Sequence, residues 1–472
     1  MAGIGLGVLM ATIDASIVNV ALPTLVETLH TDFATVQWVV ISYVLVITSL
    51  VIGVARLGDM LGRKRVYTAG LALFTLGSLL CGMAPTVGWL IGFRALQGCG
   101  AVMAQALGAA LVAMIFPASE RGRALGIVGS IVAVGLSIGP ALGGLLIGWV
   151  GWRTIFLVNV PVGLMAAIMV GRFVPTDLPG SPNQKFDPLG AVVLLATLVC
   201  YAIGMTLGQK WGFGNSHALI LLVAAALGFA FFLIVEGSVA HPMIKLGMFR
   251  NALFSINLIM SLLVFVALAG TFILPFFLEL VLEYRTEQVG LMMMVVPVTM
   301  GIVAPASGML ADRFGPRGIT LLGLTLAAAG CVIISTLDSG VAPLGYILRL
   351  TPLGLGLGMF LSPNNSAILG EAPREHIGIA SGLLSLSRTL GNTSGFPLMG
   401  ALFSSCVLAA AGLPPATSVT AAPVEALQIG VTGVFRIASV VIFCSAMLAA
   451  LAYWIERKRH TADTGPRQSG SP

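Results

Sequence analysis

Fourteen times along its 472 residues the chain runs for about twenty residues with almost no charge, and any fold must accommodate those runs. A hydrocarbon core about 30 Å thick is crossed by roughly 20 helical residues rising ~1.5 Å each. The runs lie near 4–23, 38–58, 66–84, 87–113, 124–148 and 155–174, then 188–208 and 217–237, then 252–281, 288–311, 318–337, 343–362, 377–410 and 433–455. The chain is 57% hydrophobic and 9% charged, with a mean hydropathy of +1.02; soluble domains carry about 25% charge. Glycine, 58 of 472 residues, exceeds its usual ~7% share, as close helix packing in lipid requires. The expected fold is therefore an all-α membrane protein of fourteen transmembrane helices.

An even number of crossings puts both termini on one side. Sixteen of the 24 Lys and Arg residues fall in loops on that side, three (Arg153, Lys210, Arg285) fall opposite, and the rest lie in spans or at their ends. Basic loops stay cytoplasmic, so the expectation is a multi-pass cell-membrane protein with cytoplasmic termini. The net charge of +6 is thereby explained by topology, and no nucleic-acid partner is expected. The first apolar run lacks a basic start and continues as a span, which is unlike a cleavable signal peptide. The abrupt start at Met1 suggests that a few cytoplasmic residues precede it. The six cysteines lie in apolar segments without metal or redox spacing and read as small helix residues.

An internal repeat is legible. Leu57-Gly-Asp59-Met-Leu-Gly62-Arg63 returns 253 residues later as Leu310-Ala-Asp312-Arg-Phe-Gly315-Pro, and Arg94 with Gly98 and Gly100 returns as Arg349 with Gly354 and Gly356. Gly135, Gly139 and Gly144 return as Gly391, Gly395 and Gly400. Spans 1–6 thus match spans 9–14, with spans 7 and 8 inserted. The expected organisation is a six-helix bundle over 1–174, a linker and two inserted helices over 175–251, a second bundle over 252–456 and a polar tail over 457–472. Two similar bundles imply alternating access to a midplane site between them.

In the fifth run, Gly135-Leu-Ser-Ile-Gly139-Pro140-Ala-Leu-Gly143-Gly144 leaves a groove where another backbone can approach. Spacing alone allows either a plain tightly packed helix pair or a functional contact. The full pattern resembles the antiporter signature of the major facilitator superfamily, which marks span 5 of exporters. Leu57-Gly58-Asp59-Met60-Leu61-Gly62-Arg63-Lys64-Arg65 is similar to that superfamily's loop between spans 2 and 3, with Ala55 and Met60 departing from the pattern. Gly308-Met-Leu-Ala-Asp312-Arg313-Phe-Gly315 is a fuller second copy. Ile13-Asp14-Ala-Ser16-Ile-Val-Asn19-Val-Ala-Leu-Pro23, Gln37-Trp38 with Tyr43, Arg94-Ala-Leu-Gln97-Gly98-Cys-Gly100, Trp152-Arg153-Thr-Ile-Phe156-Leu-Val-Asn159-Val-Pro161-Val-Gly163, and Arg388 resemble the fourteen-span drug–proton antiporters (EmrB/QacA-type). The resemblance covers essentially the whole chain. It implies a major facilitator fold of two six-helix bundles plus two inserted helices. It also implies proton coupling through Asp14 and Arg94 and a substrate cavity including Asp14, Asn19, Arg94, Gln97 and Arg388. The conformational motifs would be Asp59, Gly62, Arg63, Asp312 and Gly315, together with Gly135, Gly139, Pro140, Gly143 and Gly144, with Asp59 clamping the bundles when the site faces outward.

Depth singles out three charges independently. Asp14 lies about ten residues into span 1, or roughly 15 Å, and Arg94 about seven residues into span 4 from the opposite face, or roughly 10 Å. In a core about 30 Å thick they are separated by only about 5 Å of depth. Arg388, about eleven residues into span 13, is also central. Charges at such depth cost about 2.5–3.5 kcal/mol or more each and usually line a cavity or relay; the alternative is a fixed structural ion pair. Glu236, Glu279, Glu283 and Arg436 sit near span ends, where snorkelling explains them. For Arg349 a core role and a helix-end role stay open. Met292-Met-Met294 and Phe276-Phe277 either form an adaptable apolar cavity or face lipid.

No phosphate loop, nucleophile–base set or metal-ligand spacing is present, so neither an enzyme nor an ATP-driven pump is expected, and no cofactor. The expected function is proton-coupled export of amphipathic small molecules, cations among them, by alternating access. Partners would be the substrate, protons and membrane lipid, and an accessory export partner is left open. The rival readings are a dedicated exporter of one endogenous compound (a lipid, siderophore or antibiotic) and a non-transporting membrane sensor.

Overall fold

The computed structural model describes residues 1–116, 120–175, 188–238, 246–372, 377–414 and 417–463. The linker expected over 175–187 and the end of the tail fall almost wholly outside them. Among the described residues fourteen helices are long and apolar enough to cross a membrane, and there is no strand. Spans 1–6 are Ala2–Thr28, Phe33–Val51, Arg63–Gly82, Val87–Val112, Ile127–Trp149 and Thr154–Phe173. Spans 7 and 8 are Leu189–Trp211 and Ser216–Ser238. Spans 9–14 are Ala252–Leu280, Thr286–Ala311, Pro316–Ile334, Pro343–Gly370, Ile379–Ala411 and Val424–Arg457. With an even number of crossings, the start of the first span and the end of the last lie on one face of this array, called the terminal face below.

Several spans break where proline removes an amide hydrogen. Pro161 cannot donate to Leu157, and the helix of span 6 is interrupted between Leu157 and Asn159. Pro297 does the same to Met293 in span 10, which divides into Thr286–Met293 and Val295–Phe314. Span 9 passes through a tight turn at Ala269–Ile273 just before Pro275. The repeated loop after spans 2 and 10 turns on Gly62 (φ 96°) and Gly315 (φ 84°), a left-handed conformation that favours glycine. The side chains of Asp59 and Asp312 lie outside the described residues; Arg63 is half-buried beside Gly62.

The repeat extends to a contact that the sequence does not announce. Lys64, at the start of span 3, donates from Nζ to the Gly171 carbonyl near the end of span 6 at 2.9 Å. Its repeat partner Arg317, at the start of span 11, reaches the end of span 14: Nε donates to Glu456 Oε2 at 3.1 Å. Arg317 also bonds Asn257 Oδ1 and Glu371 Oε1, each at 2.9 Å, and Asn251 Nδ2 holds the other Glu371 oxygen at 2.9 Å. A residue that reads as one more basic loop charge is thus buried in a network tying spans 9, 11 and 14 and the end of span 12. Arg317→Ala leaves two carboxylates short of a donor, and hydrogen bonds to charged groups contribute about 1.5–3 kcal/mol each. We predict a clearly lowered thermal midpoint for purified Arg317→Ala. An unchanged midpoint would show that the network contributes nothing.

Facing the opposite side, the two halves close on one another. Phe33 of span 2 packs against Phe276 (4.9 Å between centroids), Phe403 (5.2 Å) and Phe272 (5.8 Å), and Phe272 against Phe396 (5.7 Å). Phe276 and Phe277 are each 1% exposed, so neither faces lipid. Along the span 2–span 13 seam, contact persists to the Thr48–Thr393 hydroxyl pair at 2.8 Å. Towards the terminal face, Ser381 and Ser385 of span 13 and Ile127 and Gly129 of span 5 are exposed. Among the described residues the halves therefore meet on one face and part towards the terminal one, leaving a cleft that opens there.

Span 7 lies over that sealed seam and bonds to both halves. Trp38 Nε1 of span 2 donates to Thr206 Oγ1 at 3.0 Å, and Gln209 Nε2 donates to Ser404 Oγ of span 13 at 2.7 Å. Lys210 Nζ pairs with Asp32 Oδ2 at 2.9 Å. Partial burial pushes the Asp32 carboxyl up, but the Lys210 ammonium and the Thr35 amide and hydroxyl outweigh it, so its pKa lies below the ordinary carboxylate value. The pair is therefore fully formed above the ordinary value and is lost only as pH falls through the lowered one.

Candidate functional site

Asp14 and Arg94 meet in the interior of the first half. Arg94 Nη1 donates to Asp14 Oδ2 at 2.7 Å, with exposures of 1% and 0%. Small residues bring the surrounding backbones close enough for this: Gly98 lies against the Tyr43 carbonyl of span 2, and Gly100 against the Phe74 backbone of span 3. Arg94 Nε donates to the Val39 carbonyl at 3.0 Å and Nη1 to Gln97 Oε1 at 2.6 Å. The guanidinium lies 4.1 Å from the Tyr43 ring centroid and 5.7 Å from that of Phe156, distances at which an aromatic face attracts a cation.

Asp14 accepts three N–H donors. Besides Arg94, its Oδ1 accepts from Gln97 Nε2 and from Asn159 Nδ2, each at 2.9 Å. Gln97 Nε2 also donates to Ser78 Oγ at 2.6 Å. Side chains from spans 4 and 6 thus close around the carboxylate of span 1, with Ser78 of span 3 holding Gln97 and the aromatic ring of Tyr43 from span 2 beside Arg94. The break in span 6 falls immediately before Asn159, which sets that amide at the depth of Asp14. The motif containing Asn159 is visible in the sequence, but its role is not, because nothing in spacing says which span-6 residue faces span 1. Ser78 carries no sequence signal at all.

The other expected site residues separate. Gln97 belongs to the cluster. Asn19 is half-buried one turn further along span 1, and its Oδ1 is buried without a partner. Arg388 lies in the other half, bonded through Nη2 to Asn365 Oδ1. Arg349, the repeat partner of Arg94, is not a core residue: it is partly exposed and pairs loosely with Asp338 at 3.9 Å. Glu236, placed at a span end, is 2% exposed, so it does not reach out to water as snorkelling would require.

The glycine–proline run of span 5 has two faces. One packs on span 1, where Gly135 and Gly139 receive Thr12 and Ser16 and Gly143 receives Ile17; Ser16 Oγ donates to the Gly135 carbonyl at 3.4 Å. The other meets the second half. A Cβ on Gly144 would lie 3.0 Å from Gly290 Cα and 2.5 Å from the Thr286 carbonyl, and the Pro140 carbonyl also abuts Gly290. Gly139 is thus an intra-half contact, and Gly144 is the one that crosses the seam.

Comparison with known proteins agrees with this architecture. The chain is 34% identical over 401 residues to the riboflavin transporter RibZ of Clostridioides difficile (strain 630), covering 85% of this chain and 86% of that one. It is 33% identical over 410 residues to a tetracenomycin C resistance and export protein of Streptomyces glaucescens, covering 86% and 75%. It is 33% identical over 402 residues to the multidrug resistance protein Stp of Mycobacterium tuberculosis, covering 85% and 74%. Among solved structures, a bacterial homologue of the human lysosomal transporter Spinster, in an inward-facing and unoccupied conformation, superposes with a TM-score of 0.68 at 16% identity over 96% of this chain and 97% of that one. The human organic anion transporter MFSD10 does so at 0.64 and 14%, over 95% and 98%. The Major Facilitator Superfamily model matches residues 4–396 and again 260–472. With fourteen helices, a repeated half and relatives that are transporters, the chain belongs to the Major Facilitator Superfamily.

Proposed function

We propose that the protein is a proton-coupled exporter of amphipathic small molecules that works by alternating access, with both termini in the cytoplasm. The observation that carries the reading is the sealed Asp14–Arg94 pair beside a cleft that, among the described residues, opens towards the terminal face. The sixteen-to-three distribution of basic loop residues supports a cytoplasmic position for that open face, and substrate would then enter the cleft from inside. Relatives named for resistance and export support the direction of transport. A dedicated carrier of one compound is the alternative that the riboflavin-transporter relative favours.

Asp14 would carry the proton. Protonation removes the charge that holds Arg94 and turns one carboxylate acceptor into a donor, so the three N–H groups now converging on Asp14 cannot all keep their places. Span 1 would then shift. Ser16, two residues on, seats span 1 on span 5, and Gly144 of span 5 seats the first half on the second. In this reading, 1–174 and 252–456 move against each other, and Asp59 and Asp312 with their glycine turns act at the terminal face.

Inside-out vesicles carrying the protein, with an acid lumen imposed, should accumulate an amphipathic fluorescent substrate above equilibrium and release protons as substrate is added. A reporter fused after His460 should be read in the cytoplasm. Accumulation that ignores the pH gradient would rule out proton coupling, and a reporter read outside would reverse the topology.

A further inference from the structure

Of the three charges at middle depth, Asp14 and Arg94 neutralise each other. Arg388 has no such partner: among the described residues no carboxylate lies within ion-pair distance of it. Its guanidinium rests 5.6 Å from the Phe265 ring centroid, one terminal nitrogen donates to Asn365, and Nε is buried without an acceptor. Arg388 also belongs to a polar face. Ser381, Ser385, Arg388 and Asn392 recur at spacings of four, three and four, which places them on one side of span 13. The two serines are exposed, and Arg388 and Asn392 are partly buried. This face lies on the terminal side of the Thr48–Thr393 contact, where the halves part. Polar side chains in a membrane helix face a watered cavity or the bundle interior and not lipid.

A guanidinium at this depth is costly without a counter-charge, and the protein supplies none among its described residues. The acid that a cationic substrate would need, Asp14, is fully buried and already triply bonded. We propose that the Arg388 face of span 13 is a subsite for an anionic substrate group, a carboxylate carried on an aromatic body. Arg388 pairs with the carboxylate, Ser385 and Asn392 supply further polar contacts, and Phe265 takes the edge of the ring system. This proposal rests on the exporter reading above and turns the expected preference from cations to aromatic acids.

The test uses two dyes on one xanthene skeleton: fluorescein, which carries a free carboxylate, and rhodamine 123, a cationic methyl ester. In inside-out vesicles under a pH gradient, the wild-type KM should be lower for fluorescein. Losing a charge-assisted hydrogen bond corresponds to about tenfold or more in affinity, so Arg388→Gln should raise the fluorescein-to-rhodamine KM ratio by about tenfold, with Arg388→Lys in between. Asn365→Asp, which would place a carboxylate on Arg388 within the fold, should raise the ratio similarly and serves if Arg388→Gln does not insert. A ratio unchanged in Arg388→Gln and in Asn365→Asp overturns the subsite and leaves the exporter standing. Wild-type vesicles that accumulate neither dye overturn both.

Discussion

Asp14→Asn is expected to abolish uphill, proton-driven export while leaving downhill substrate movement measurable. Asn keeps the shape of the carboxyl and mimics its protonated state, so the Gln97 and Asn159 amides keep an oxygen to bond. What disappears is a charge that can be gained and lost. The same substitution strands the Arg94 guanidinium at 1% exposure, and removing one partner of a buried pair costs about 3–5 kcal/mol. Reduced stability is therefore also expected and has to be separated from lost coupling. Asp14→Asn/Arg94→Gln removes both charges and should recover part of the thermal stability without recovering accumulation against a gradient. If the double variant instead exports uphill, the pair is structural and the proton travels elsewhere.

Gly144→Leu is expected to stop transport in a protein that still inserts, by disfavouring the state described here. The atoms that a side chain at 144 would meet are backbone, the Thr286 carbonyl and the Gly290 Cα, so they cannot swing aside. Overpacking of this kind costs about 1–3 kcal/mol, and a bias of that size shifts a two-state equilibrium about 5–150-fold. The added bulk wedges spans 5 and 10 apart on the sealed face, so the aromatic contact around Phe33 should open. In a background lacking native cysteines, Phe33→Cys should react with a membrane-impermeant maleimide much faster when Gly144→Leu is present. Gly139→Leu, which meets Ser16 within the same half, should lower stability without that increase. Wild-type transport by Gly144→Leu, with Phe33→Cys still protected, would show that the contact does not govern the closed face.

The number, order and approximate limits of the crossings were legible in the sequence, because hydrocarbon allows few solutions and the apolar runs have the length a membrane dictates. The repeat was legible too, since Gly62 and Gly315 answer the same backbone requirement in both halves. Asp14 and Arg94 could be paired by depth alone, because 1.5 Å per residue is a ruler. What depth cannot supply is rotation about the helix axis. Only the tertiary structure decided that Asn159 joins Asp14 and Ser78 joins Gln97 while Asn19 stays apart, and that Arg349 turns to a partly exposed pairing. It also decided that Arg317 leaves the loop for a buried network, and that Gly144, not Gly139, crosses between the halves. In water a hydrophobic face would have fixed those rotations in the sequence pattern. In a membrane both the lipid side and the packed side are apolar, so the sequence carries little period to read, and small residues and sparse polar contacts between distant spans determine which way each helix turns.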